Sequence, residues 1–193
     1  MFKFYKSALM GVITNPLCEE YKNEWRRCNN EKDKLIKLAM RQQSLPYFIT
    51  HCYQGKGLSK EYITKNFNEF INGKREILNA DLVEGYSYAM YVDFKDYCTP
   101  HEDVLAFMWC NSQVEMDMDI CPILYIGAGS EIHLVCNGYN SPRIYLFDDS
   151  KLFIEDVDES CSITVNKYSK DAKVELGKYC LGNVKIFDKE LRL

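Results

Sequence analysis

The chain has 193 residues, 24 of them basic and 28 acidic, for a formal net charge of −4; hydrophobic residues make up 47% and charged residues 27%. That composition excludes a disordered chain, which is poor in apolar residues and strongly charged, and the length fits one domain or two small ones. Basic and acidic side chains divide 15 to 17 over residues 1–120 and 9 to 11 over residues 121–193, so neither part carries the basic stripe of a nucleic-acid binder, and no nucleic-acid partner is expected.

The opening segment is basic and then apolar, but its apolar run, residues 8–13, is short and contains Gly11. No small-residue cleavage site follows cleanly, so it does not read as a secretory signal. No stretch approaches the roughly 20 apolar residues that span a bilayer. Asn15-Pro16 reads as an N-cap with proline at the first helical position. Tyr21, Trp25, Cys28, Leu35 and Ala39 then recur at helical spacing, predicting a helix to about Ser44 with a break possible at Asn29-Asn30. The basic cluster Arg26, Arg27, Lys32, Lys34 and Lys37 is interleaved with Glu24, Glu31 and Asp33, the pattern of a solvated helix face. Ser59 opens a second helix, with Tyr62, Ile63, Phe67, Phe70 and Ile71 on one stripe and Asn72-Gly73 as its stop. Residues 86–94 alternate as a strand. Thr99-Pro100-His101-Glu102 reads as a capping box, and Val104, Leu105, Met108 and Trp109 as the apolar face of a short helix behind it.

From about residue 121 helical periodicity stops and one pattern recurs: a small residue or proline, then two aliphatics at the second and fourth positions after it. It begins at Ser130, Pro142, Ser150, Cys161, Ala172 and Gly182, at intervals of 12, 8, 11, 11 and 10 residues. Six short strands at that spacing form an internal repeat. In a β-solenoid two repeats make one coil, the small residue sits at the corner and the aliphatics stack inward in ladders. In an antiparallel sandwich the same spacing reflects strand plus turn. Asn137-Gly138 is the only tight hairpin pair in the region, and a meander would want several. The expectation is therefore an α+β head over 1–120 with a long N-terminal helix, followed by a solenoid-like β-repeat over 121–193.

The nine cysteines form no CxxC, and several flank apolar residues. An odd count without a disulfide framework fits buried free thiols and a reducing, cytoplasmic environment at synthesis. No cofactor or metal set converges. Lys56, Gly57 and Ser59 precede the second helix as a weak anion-site candidate, although Thr50 and Gly57 break the P-loop pattern. His51, Cys52 and His101 are too scattered to define a cysteine–histidine pair. Fourteen tyrosines, among them Tyr139, Tyr145, Tyr168 and Tyr179, could stack a glycan or form an interface on an outward face.

Two resemblances bear on function. Ile126-Gly127-Ala128-Gly129-Ser130 resembles one hexad of the hexapeptide-repeat acyltransferases, and that resemblance implies His133 as the base that activates an acceptor hydroxyl. His133 falls between two inward aliphatics, so it is expected to point out of the coil. The repeat Ser-Pro-Arg-Ile-Tyr-Leu-Phe-Asp-Asp-Ser at residues 141–150 and its echoes resemble small phage and prophage proteins with a solenoid tail. This implies a non-catalytic structural or attachment module, a virion component that assembles with other subunits or with copies of itself. Its expected interface residues are Tyr21, Trp25, Leu191 and Leu193. An acyltransferase and an intracellular protein-binding regulator are the alternatives.

Overall fold

The computed structural model describes residues 19–29, 31–39, 59–71, 76–81, 86–117, 121–127 and 129–189. Three helices, α1 (Glu19–Arg27), α2 (Lys32–Ala39) and α3 (Lys60–Asn66), precede twelve strands. The strands are β1 (Glu76–Asp81), β2 (Tyr86–Val92), β3 (Tyr97–Cys98), β4 (Val104–Met108), β5 (Asn111–Met116) and β6 (Ile123–Gly127), then β7 (Glu131–Cys136), β8 (Arg143–Leu146), β9 (Lys151–Val157), β10 (Ser162–Lys167), β11 (Lys173–Cys180) and β12 (Asn183–Asp188). They form a seven-stranded sheet, β1-β2-β4-β6-β8-β10-β12, and a five-stranded sheet, β11-β9-β7-β5-β3. We call them sheet A and sheet B. From β2 onward the chain alternates between the two, and every neighbour within a sheet is parallel; β1 on β2 is antiparallel. This is a β-solenoid of about five coils, and parallel pairing removes the sandwich alternative.

The repeat read from the sequence maps onto the coil. Its six starts are the corner residues before β7, β8, β9, β10, β11 and β12. One coil takes about twenty residues, as the successive partners Val104, Ile123, Arg143 and Thr164 show. Inward ladders run through Leu105, Leu124, Ile144 and Val165 in sheet A, and through Val114, Leu134 and Ile154 in sheet B. These side chains are wholly buried, each contributing about 1.5–3 kcal/mol by leaving water. The corners need small residues because two turns of backbone close around them. Ser130 is buried, its Oγ accepting from the Cys110 N–H at 3.2 Å and donating to the Gly127 carbonyl at 2.6 Å. A Cβ on Gly182 would stand 2.5 Å from Val157 Cγ1 and 2.6 Å from the Asp158 carbonyl oxygen.

The solenoid starts earlier than the repeat signature. Its first coil begins with β2, so residues 86–117, assigned by sequence to the head, belong to the coiled part. The short helix expected after Thr99-Pro100 is strand β4, all five residues of which are buried. Leu105 and Phe107 face the coil interior, while Val104, Ala106 and Met108 pack against the helices. A five-residue apolar run buried on both faces has no period to separate strand from helix.

The helices cover the outer face of the first strands of sheet A. Trp25, Leu35, Ile36, Ile63 and Phe67 form one cluster with Tyr88, Met90, Val92 and Met108. The predicted long helix divides where the asparagines lie, with Asn29 at φ 45° between α1 and α2. Its basic face is solvated as expected, Lys34 pairing with Glu31 at 2.7 Å and Lys32 with Glu69 at 3.1 Å. The helix opened by Ser59 ends at Asn66 and passes into a 3-10 turn, Asn68–Phe70. Asn15-Pro16 and Asn72-Gly73 lie outside the described residues. Among those residues no helix is long and apolar enough to cross a membrane.

Candidate functional site

The final coil is where the inward pattern loses its partner. The two aliphatics of each repeat are buried in the middle coils, but in β11 and β12 the equivalent Leu176 is 52% and Ile186 42% exposed. Tyr179, Leu181 and Phe187 lie beside them, so five of the seven exposed large apolar side chains among the described residues belong to this one coil. β11 is the edge of sheet B and β12 the edge of sheet A. Among the described residues, one rim of the solenoid thus offers two backbone edges with no neighbouring strand, on either side of the inward Leu176 and Ile186. The charges along it are interleaved: Lys173, Glu175 and Lys178 on β11, Lys185 and Asp188 on β12.

A second surface lies on the outer face of sheet B. Odd-numbered positions of β5 and β7 point outward there, and register aligns Tyr97, Gln113, His133 and Phe153 in one row across four strands. His133 points outward, as its position between Ile132 and Leu134 requires. Its ring stacks on Phe153 at 4.7 Å and 13°, its Nδ1 lies 2.6 Å from Glu155 Oε1 and its Nε2 3.6 Å from Glu131 Oε1. Lys151 bonds Glu131 at 3.0 Å and holds that carboxyl below the usual range. Tyr97 donates to Glu115 at 2.5 Å, and keeping that hydrogen bond raises its phenol pKa. Between Tyr97 and His133 opens a groove of about 350 Å³, lined also by Lys95, Asp96, Asn111, Gln113 and Glu155.

The other residues singled out by sequence are placed as follows. Trp25 is 1% exposed, inside the helix–sheet cluster, which corrects its assignment to an interface: the helical stripe that looked available is spent on sheet A. Tyr21 lies in α1, but its side chain is outside the described set. Leu191, Leu193, Lys56 and Gly57, and with them His51 and Cys52, lie outside the described residues. Ser59 is described, and its Oγ accepts from the Tyr62 N–H at 3.2 Å, capping α3. His101 is exposed in the loop before β4. The seven described cysteines are free thiols. Cys110, Cys136 and Cys161 are buried at coil corners, and burial pushes the Cys110 thiol up to about 12 and the other two upward, the state of inert hydrophobic thiols. Among the described residues no group of three His, Cys, Asp or Glu is placed to hold a metal ion.

Of the tyrosines, Tyr125, Tyr145 and Tyr168 stack with Phe147 on the outer face of sheet A, centroids 5.2–6.3 Å apart. They pack against the helix–sheet cluster. Sequence reasoning did not single out Gln113 or Glu155, and it read Leu176 and Ile186 as buried. The register that joins Tyr97 to residue 155 is set by coil length, which is readable only once the first coils are recognised. Comparison with protein-family models, curated proteins and solved structures finds no match for this chain.

Proposed function

We propose that this chain is a non-catalytic assembly module that joins a second copy of itself end to end through its last coil. The observation that carries the reading is the exposure of the inward pair Leu176 and Ile186 between the edges of β11 and β12, with Tyr179, Leu181 and Phe187 exposed around the same coil. Unpaired edges beside apolar surface recruit further strands, and a contiguous apolar patch on a folded surface marks an interaction site. A second copy fits because both signs of charge alternate along the rim, so no single-sign field repels it. At the opposite end the edge strands are the antiparallel β1 in sheet A and the two-residue β3 in sheet B. A contact between two C-terminal rims is two-fold and closes at a dimer. Within the resemblance to phage-encoded solenoid proteins, such a dimer would be a building unit of a larger particle.

The test is the mass in solution by light scattering at two concentrations, with reductant present. We expect a dimer, twice the 22.6 kDa chain mass. The double substitution Leu176→Lys with Ile186→Lys should leave a folded monomer, because both side chains are already half in water. A monomer at both concentrations for the unsubstituted chain would overturn the proposal, as would a dimer that survives the double substitution.

A further inference from the structure

We infer that the groove on the outer face of sheet B, between Tyr97 and His133, is a carbohydrate site that holds one pyranose ring over Gln113. The inference is independent of how copies of the chain associate.

The geometry is that of a slot. Tyr97, Gln113 and His133 are register partners on three consecutive strands. Neighbouring strands lie about 4.8 Å apart, so the two outer residues are separated by about 9.6 Å at the backbone, and a six-membered ring stacks on an aromatic face at about 3.5–4.0 Å. Gln113 is exposed and forms the floor. His133 is not free to collapse into the gap, since one face of its ring stacks on Phe153 and Nδ1 is tied to Glu155. That arrangement turns the other face of the imidazole towards Gln113. Tyr97 is likewise braced, its hydroxyl bonded to Glu115 and Thr99. The walls are fixed before any ligand arrives, which reduces the ordering cost of binding. The volume, about 350 Å³, is at the small end of ligand sites, which run from about 300 to 1,000 Å³.

The lining selects the chemistry. Lys95, Asn111 and Gln113 offer donors, Asp96 and Glu155 offer acceptors, and the two amides do both. No aliphatic side chain is among the lining residues, so a purely apolar ligand would find only the ring faces. An anion would meet two carboxylates, and a cation would meet Lys95. A neutral ring whose hydroxyls both donate and accept, with apolar C–H faces for the two aromatic walls, satisfies every group present.

The test follows amide and imidazole chemical shifts in the full chain during titration with methyl glycosides of glucose, galactose, mannose and N-acetylglucosamine. At least one should give saturable shifts of the Gln113 side-chain amide and the His133 ring, with Kd on the order of 1 mM. Tyr97→Ala should weaken it at least tenfold, while His133→Phe, which keeps a planar wall on Phe153, should retain it within threefold. Both positions are on the surface, and circular dichroism of each variant checks the fold. Absence of saturable shifts with all four glycosides would overturn the inference. So would binding that persists unchanged in Tyr97→Ala.

Discussion

The two ends of the solenoid are built from the same coil but finished differently. At the start, sheet A is closed by the antiparallel strand β1 and its outer face by three helices, while sheet B begins with a strand of two residues, Tyr97–Cys98. Short edges and covering helices are standard ways to blunt a sheet. At the finish, β11 and β12 have eight and six residues with no neighbour beyond them among the described residues. Identical inward positions therefore have opposite fates: Leu134 and Ile154 are wholly buried, and their register partner Leu176 is half in water. A repeat protein needs a cap wherever its stack stops; β1 and the helices finish sheet A at one end, and the proposed dimer would finish both sheets at the other.

The largest effect should come from the closed end. Phe107 is fully buried and stacks on Tyr91 at 4.9 Å. Phe107→Ala should cost about 3–5 kcal/mol in urea unfolding. Next comes the last corner: Gly182→Ala places a methyl group 2.5 Å from Val157 Cγ1 and should cost about 1–3 kcal/mol. A smaller effect, dependent on pH, should arise midway along the stack. Asp148 sits at φ 60° with a buried carboxyl oxygen that has no hydrogen-bond partner among the described residues. Burial, with Asp149 beside it, raises its pKa from 3.8 to about 7. The folded chain then binds a proton more readily than the unfolded chain between pH 4 and 7, so this group's contribution to stability should fall as pH rises through that window. Asp148→Asn, which tolerates the same backbone conformation, should flatten that slope in thermal melts at pH 4, 5.5 and 7. The smallest change should be at the open end. Leu176→Ala, measured at a concentration where the chain is monomeric, should alter stability by less than about 0.5 kcal/mol, and a loss comparable to that of Phe107→Ala would mean that the rim is covered within the chain itself.

Legibility in the sequence follows the same gradient. Coils that are polar outside and apolar inside announce themselves: Ser130, Ser150 and Ala172 mark corners, and Ile132, Leu152 and Val174 mark the ladder. The first coils do not. Val104–Met108 is apolar on both faces because helices cover the outside, so its strand period vanishes and a capping-like Thr99-Pro100 prefix steers the reading to a helix. The break at Asn29-Asn30 was readable because asparagine both resists the helix interior and tolerates a left-handed backbone. The groove on sheet B was not, because Tyr97, Gln113, His133 and Glu155 meet only through the coil register. The exposure of Leu176 and Ile186 was invisible for a different reason: an inward residue in the last coil is spelled like any other.

Coil register also sets how this chain can change length. Glu131 stands on Asn111, and Lys151 on Glu131. Excising residues 131–150 would bring Lys151 directly behind Ser130 and seat it on Asn111, with every inward ladder still in phase. A one-residue difference is absorbed between the ladder positions, since the successive partners Val104, Ile123, Arg143 and Thr164 keep the inward ladder in phase at unequal spacing. The whole coil is therefore the unit that adds or removes a rung, and the length of the rod, with the distance between whatever is held at its two ends, can be adjusted in whole-coil steps.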